Sequence, residues 1–229
     1  MTLSLLHLDD HLVAIDKPAG LLVHRTQLAA HEDEAALQRL RDQLGRTVWP
    51  VHRLDRGTSG VLLFALSAEV ASLLGVMFEQ GGMDKRYRAL VRGWPTEGEG
   101  LIDHPLARDP EQPSAGQTML DAQTRWRVLQ RSEWPIATHP DFPTTRVALL
   151  DVEPLQGRRH QIRRHLKHIA HPILGDATHG KGPLNRAAAA HLGQNRLWLH
   201  AWQLKLTHPV SGIALQLEAS LEPDSPLAP

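Results

Sequence analysis

Short apolar blocks separated by turns dominate the sequence, and a helical period shows only in places. Residues 5–8 and 11–16 read as short strands, and Lys17-Pro18-Ala19-Gly20 turns the chain after them. Leu21-Leu22-Val23 then leads into His24-Arg25. Residues 34–44 predict a helix, with Leu37, Leu40 and Leu44 at helical spacing and Gly45 as its stop. The run from Val61 to Leu66 reads as a buried strand, and Ser67 caps a second helix. In that helix Val70, Leu73, Leu74, Met77 and Phe78 fall on one face, and Gly81-Gly82 ends it. Residues 85–92 alternate, with Tyr87, Ala89 and Val91 on one side and Arg86, Arg88 and Arg92 on the other. Proline, glycine and glutamate crowd residues 94–118 and predict an irregular excursion.

Residues 125–129, 145–152, 197–206 and 213–219 complete the strands, the last two joined through His208-Pro209-Val210-Ser211-Gly212. Residues 160–170 predict a helix with Ile162, Leu166 and Ile169 inward and the basic residues outward. Strands that follow one another without regular helical crossovers predict an α+β fold on a mainly antiparallel or mixed sheet flanked by helices. No repeat or long linker divides the chain, so residues 1–221 are expected to form a single domain. The proline-rich residues 222–229 are expected to be a flexible tail.

Composition changes this picture little. The 229 residues are 41% hydrophobic and 22% charged, ordinary for a globular protein with a real core. No apolar run reaches a membrane span, and the first ten residues lack the basic start of a signal peptide. The absence of cysteine excludes disulfides and thiolate metal sites and fits a cytoplasmic protein. Net charge is zero, which argues against indiscriminate nucleic-acid binding. The charges are uneven, however. Residues 157–168 hold five Lys or Arg and no acid, while acids gather at 32–34 and 218–224. A neutral protein can still present one positive face.

The chemistry concentrates in His52-Arg53-Leu54-Asp55-Arg56-Gly57-Thr58-Ser59-Gly60. The turn before a buried strand holds Asp55 at the strand's rim. Taken alone, the string also reads as an Arg-Asp ion pair with Thr and Ser bonding the turn. Tyr87, the one tyrosine, reads as strand packing or as a phenol offering a ring face and a hydroxyl. Arg163 closes Gly157-Arg158-Arg159-His160-Gln161-Ile162-Arg163, a solvated basic face on its bland reading. Among the fifteen histidines, His165, His168 and His171 lie three apart, but no carboxylate partner accompanies them and Pro172 interrupts the pattern. No phosphate loop or dinucleotide fingerprint is present, and Ser59 lacks the elbow of a serine nucleophile. Neither a metal nor a cofactor is expected.

The nine-residue string resembles the HRLDxxTSG signature of the RluA family of pseudouridine synthases. Residues 85–89 (KRYRA) and 157–163 (GRRHQIR) resemble the family's second and third motifs. Residues 16–20 (DKPAG) and 171–176 (HPILGD) match further elements, so the resemblance runs from about residue 5 to 220. It implies a catalytic domain with a central active-site cleft and isomerisation of uridine to pseudouridine in RNA, without a cofactor. Asp55 is the implied catalytic residue, with Tyr87 against the target base and Arg163 paired with Asp55. His24, Arg25, His52, Arg53, Lys85, Arg158, Arg159 and His160 are the implied substrate contacts. Residues 85–94 and 142–146 resemble the branch acting on uridine 65 of tRNA, and no S4-type RNA-binding domain is expected. No obligate protein partner or membrane is implied. A ribosomal-RNA synthase of the same fold, a catalytically silent RNA-binding module and a metal-dependent hydrolase stand as rivals.

Overall fold

The computed structural model describes residues 2–24, 35–138, 141–221 and 225–228, and its elements grow from the apolar blocks. The chain forms two compact units, one of residues 1–85 and 201–221 and one of residues 86–200 and 222–229.

In the first unit, β1 (Ser4–Leu8) pairs antiparallel with β2 (Leu12–Lys17), which pairs with β4 (Ser59–Ala65). The short β3 (Trp49–Pro50) also joins β4, and β11 (Leu199–Thr207), most of which belongs to this unit, pairs with β12 (Ala214–Glu218). Between β2 and β3, α1 (Ala36–Leu44) ends on Gly45 in the left-handed region, the expected stop. Its first amides have no side-chain cap; those of Ala36 and Leu37 donate to the carbonyls of Leu22 and Val23. The second helix, α2 (Ala68–Glu79), is capped by Ser67, whose hydroxyl accepts the Val70 amide. Val70 and Leu74 are buried against Leu12, Leu63, Leu204 and Leu217, whereas Leu73, on the same apolar spacing, is exposed.

The second unit contains most of β5 (Met83–Arg92), then β6 (Glu99–Asp103), β7 (Leu106–Ala107), β8 (Met119–Leu120), β9 (Gln123–Trp134) and β10 (Thr145–Pro154). The strand order is β5-β10-β9-β6, all antiparallel, with β7 and β8 as a separate pair. β6 and β7 lie in the segment expected to be irregular. β6 forms because register with β9 buries Ile102 opposite Thr124, a gain no local pattern shows. β9 runs well beyond the expected 125–129. A register shift between Leu149 and Leu150 of β10 changes which β9 side chains share a face, so a strict alternation does not mark the full strand.

Two helices complete the unit: α3 (Gln161–His168) and α4 (Gly182–Leu192). α3 stops at His168, short of the expected Ala170, which has φ 66°. α4 was not expected from the periodicity. Ala187–Ala190 supplies helix propensity without an apolar stripe, and only Leu184 and Ala188 are buried. Pro183 in its first turn and Gly193 in the left-handed region after its last are the signals that mark it. Leu227, in the segment expected to be a loose tail, is 1% exposed. No helix among the described residues is long and apolar enough to cross a membrane.

Candidate active site

Asp55 stands in the loop that enters β4, and the KPAG turn anchors that loop. Lys17, 0% exposed at the end of β2, donates from Nζ to the carbonyls of Pro18 (2.9 Å), Leu21 (2.8 Å) and Arg56 (3.2 Å). The Arg56 carbonyl also accepts the Gly20 amide, and Arg56 Nε returns a bond to the Gly20 carbonyl. A buried ammonium needs its protons satisfied, and here they bind two turns of backbone to each other. The Thr58 amide closes the turn onto the Asp55 carbonyl. Thr58 and Ser59 are buried behind it, while Asp55 is half-buried.

Gly60 fixes where the loop ends. Its φ is 108°, and a Cβ there would lie 2.2 Å from the Ala201 carbonyl oxygen, so only glycine permits this approach. His52 is a strut of the same loop. Its Nε2 accepts the Leu63 amide, and its ring stacks on Phe78 at 4.9 Å. Burial, with the charge of Lys85, pushes its pKa down to about 3, so the imidazole is neutral. Arg53 is exposed beside Asp55. His24 is half-buried just past the residues that cap α1. Arg25 lies outside the described residues.

In the second unit Tyr87 is half-buried on β5, opposite Val152 of β10, which in turn lies opposite Trp126 of β9. Gly100 of β6 completes this row because a Cβ there would meet the Trp126 ring at 2.9 Å. The opposite side of the strands carries an ionic ladder that the sequence reading missed. Asp151, buried, faces Arg88 and Arg86 at 3.3 Å and Arg127 at 3.9 Å. Glu153 faces Arg86 at 3.6 Å and Arg125 at 3.4 Å. The signal was present: one carboxylate inside an otherwise apolar strand, residues 147–152.

α3 departs from expectation, because Arg163 and His165 face inward. Each is buried with partners in place. His165 Nδ1 lies 2.8 Å from Thr124 Oγ1 and Nε2 lies 2.9 Å from the His104 carbonyl. Arg163 donates from Nε to Asp176 Oδ2 (2.8 Å) and from Nη2 to Oδ1 (2.9 Å), a parallel fork. Burial alone would raise the Asp176 pKa, but the Arg163 fork and the His179 amide outweigh it and hold the carboxyl below its usual range.

His160, at φ 54° before α3, has Nδ1 3.2 Å from His179 Nε2. Burial pushes His179 down to about 4 against the pull of Asp176, so it adds no charge beside Arg163. Arg158 Nε donates to the Asp121 carbonyl, and Arg159 pairs with Asp109 at 3.4 Å and with Glu111. These two cations grip the segment around β7 and β8, and both remain exposed at the surface. Lys85, half-buried in the first unit, is the cation whose charge reaches His52. No group of residues suited to a metal ion occurs among the described residues.

The model of the RNA pseudouridylate synthase family matches residues 11–168. The tRNA pseudouridine synthase C of Vibrio cholerae is 45% identical over 225 residues, 96% of this chain and 91% of its own. That of Pasteurella multocida is 47% identical, over 92% of this chain and 88% of its own. Two solved human structures have a similar fold. RNA pseudouridylate synthase domain containing 1 superposes with a TM-score of 0.74 at 23% identity, covering 96% of this chain and 84% of its own. Domain containing 4 gives 0.70 at 27% identity, covering 96% and 89%.

Proposed function

The chain belongs to the RNA pseudouridylate synthase family and is an isomerase acting on RNA; from that premise we propose that it converts uridine to pseudouridine in tRNA, at uridine 65. The observation that carries the tRNA reading is similarity of about 45% to tRNA pseudouridine synthases C along nearly the whole chain. Uridine 65 rests on the resemblance of residues 85–94 and 142–146 to that branch. The reaction would take place in the cytoplasm, where tRNA is matured.

The reaction breaks the N1–C1′ bond, turns the uracil and joins C5 to C1′ of the same sugar. The proton on C5 leaves and N1 regains one, so nothing is oxidised and no group is imported. Asp55 supplies the carboxylate, as nucleophile or as the base that takes a sugar proton; both roles need it ionised. Its loop suits that task, because the anchoring falls to Lys17, Gly60 and neutral His52. Tyr87 lays its ring against the base. Arg163 is the guanidinium we assign to pair with the Asp55 carboxylate and orient it.

A paired uracil must leave its stack, at a cost of roughly a few kcal/mol. Arg53 is the side chain we assign to the vacated space or the adjoining phosphate. Arg158, Arg159 and Lys167 line an exposed basic stretch suited to phosphates, with His24, Arg25, Lys85 and His160 as further substrate contacts. For Arg159 this means exchanging Asp109 and Glu111 for phosphate oxygens.

The test is tritium release from tRNA transcripts labelled at uracil C5, with the product mapped to one position. Release by wild type and none by Asp55→Ala is expected. Release from ribosomal-RNA fragments alone would overturn the tRNA reading, and product at another uridine would overturn the position.

A further inference from the structure

The segment His171–Asp176 ends in a carboxylate that holds Arg163 of α3 through two hydrogen bonds. We propose that Asp176 is a positioning residue for the reaction, setting the plane of the Arg163 guanidinium and the direction of the edge that Asp176 does not hold. The inference rests on the synthase reading above and assigns that site one further member.

The geometry is over-determined from the Asp176 side. Oδ1 accepts the Thr178 amide (3.0 Å) and the His179 amide (2.9 Å) as well as Arg163 Nη2. The Asp176 carbonyl accepts the Gly180 amide (3.0 Å) and Asn185 Nδ2 (2.9 Å), and Asn185 Oδ1 takes the Gly175 amide (2.9 Å). Gly175 has φ 75°, and a Cβ there would lie 1.7 Å from the Arg196 carbonyl oxygen, so the turn before Asp176 cannot shift sideways. Asp176 is 1% exposed and Arg163 8%. A purely electrostatic counter-charge would need none of this precision.

The Arg163 end is fixed as well. Gln161 Nε2 donates to the Gln123 carbonyl and Thr124 Oγ1, and its Oε1 accepts the Arg158 amide, which pins the first turn of α3. The fork occupies Nε and one side of Nη2. The remaining N–H groups, on Nη1 and the outer side of Nη2, therefore point along directions that Asp176 dictates, because the guanidinium is planar. A group that orients a carboxylate partner acts through geometry, and a misplacement of about 1 Å costs roughly a hundredfold.

Asp176→Asn keeps the shape but must turn an NH2 towards donors, so the fork is lost. We expect kcat for tritium release to fall roughly a hundredfold, with KM for tRNA held within about twofold. Arg163→Lys should show the same split, with kcat lowered and KM held, and the double variant should be no worse than the poorer single one. Asn185→Ala, which slackens the turn and spares the carboxylate, should lower kcat by less than Asp176→Asn does, with KM for tRNA again unchanged.

Wild-type kcat in folded Asp176→Asn would overturn the proposal. So would a loss that merely tracks the folded fraction. If Asp176→Asn does not fold, Arg163→Lys carries the test, since lysine keeps the charge and lacks the fork; normal kcat there overturns it equally. Failure of the synthase reading looks different, because wild type itself then releases no tritium.

Discussion

Lys17 and Arg163 are both cations withdrawn from water, and the protein uses them in opposite ways. Lys17 spends its protons on three backbone carbonyls, gathering the KPAG turn and the Asp55 loop around a point charge. Arg163 meets a carboxylate through a planar fork that uses one edge of the guanidinium. An ammonium has no plane to orient, so it suits holding loops together; a guanidinium has a plane, so it suits presenting a direction. The first region is scaffold for the loop of Asp55, the carboxylate proposed above to react. The second, on the same proposal, joins scaffold and chemistry in one side chain.

That contrast predicts which substitutions separate activity from stability. Asp55→Ala should lower tritium release by at least about a thousandfold while shifting unfolding free energy by less than about 1 kcal/mol. The clamp runs through the Arg56 carbonyl. A large drop in the urea midpoint would show that the loop depends on Asp55 and break the contrast.

Lys17→Met keeps the length of the side chain and strips its donors. Leaving buried carbonyls without their charged partner should cost about 3 kcal/mol or more, measured by urea unfolding, with activity lost as a consequence. Full stability with lost activity would mean that Lys17 belongs to the chemistry after all.

The two regions share one weakness. His52 in the first and His179 in the second have native pKa values near 3 and near 4, below the ordinary 6.5. Between those values and 6.5 the unfolded chain binds more protons than the native one. Their neutral state therefore costs nothing above about pH 6.5, and stability declines as pH falls from there towards 4. Urea midpoints at pH 7 and pH 5 check this, and His52→Gln should flatten the slope. The smallest effect belongs to the ladder. Arg127 is 62% exposed, and Arg127→Ala should alter stability by no more than about 0.5 kcal/mol.

The sequence announces these parts unevenly. α2 was legible because a serine cap, an apolar stripe and closing glycines all agree at one locus. The Asp55 loop was legible through its motif, and the fold class through short strands without crossovers. α4 escaped because alanine carries propensity without a stripe. β6 escaped because its partners on β9 lie twenty to twenty-eight positions away and only pairing makes it a strand. The inward turn of Arg163 escaped for a similar reason: a run of basic residues reads as a wet helix face until Asp176, thirteen positions on, is brought beneath it. Local patterns report what a segment can become, and long-range partners decide which charges go inside.

The Lys17 clamp also turns one atom into a clock. The chain has only five lysines, and the Nζ of this one is sealed among carbonyls. An amine-acylating reagent should tag exposed lysines at once and reach Lys17 only when the first unit opens. Each molecule that acquires the Lys17 tag therefore records one excursion of the loop that carries Asp55, counted by mass in the folded enzyme without denaturant.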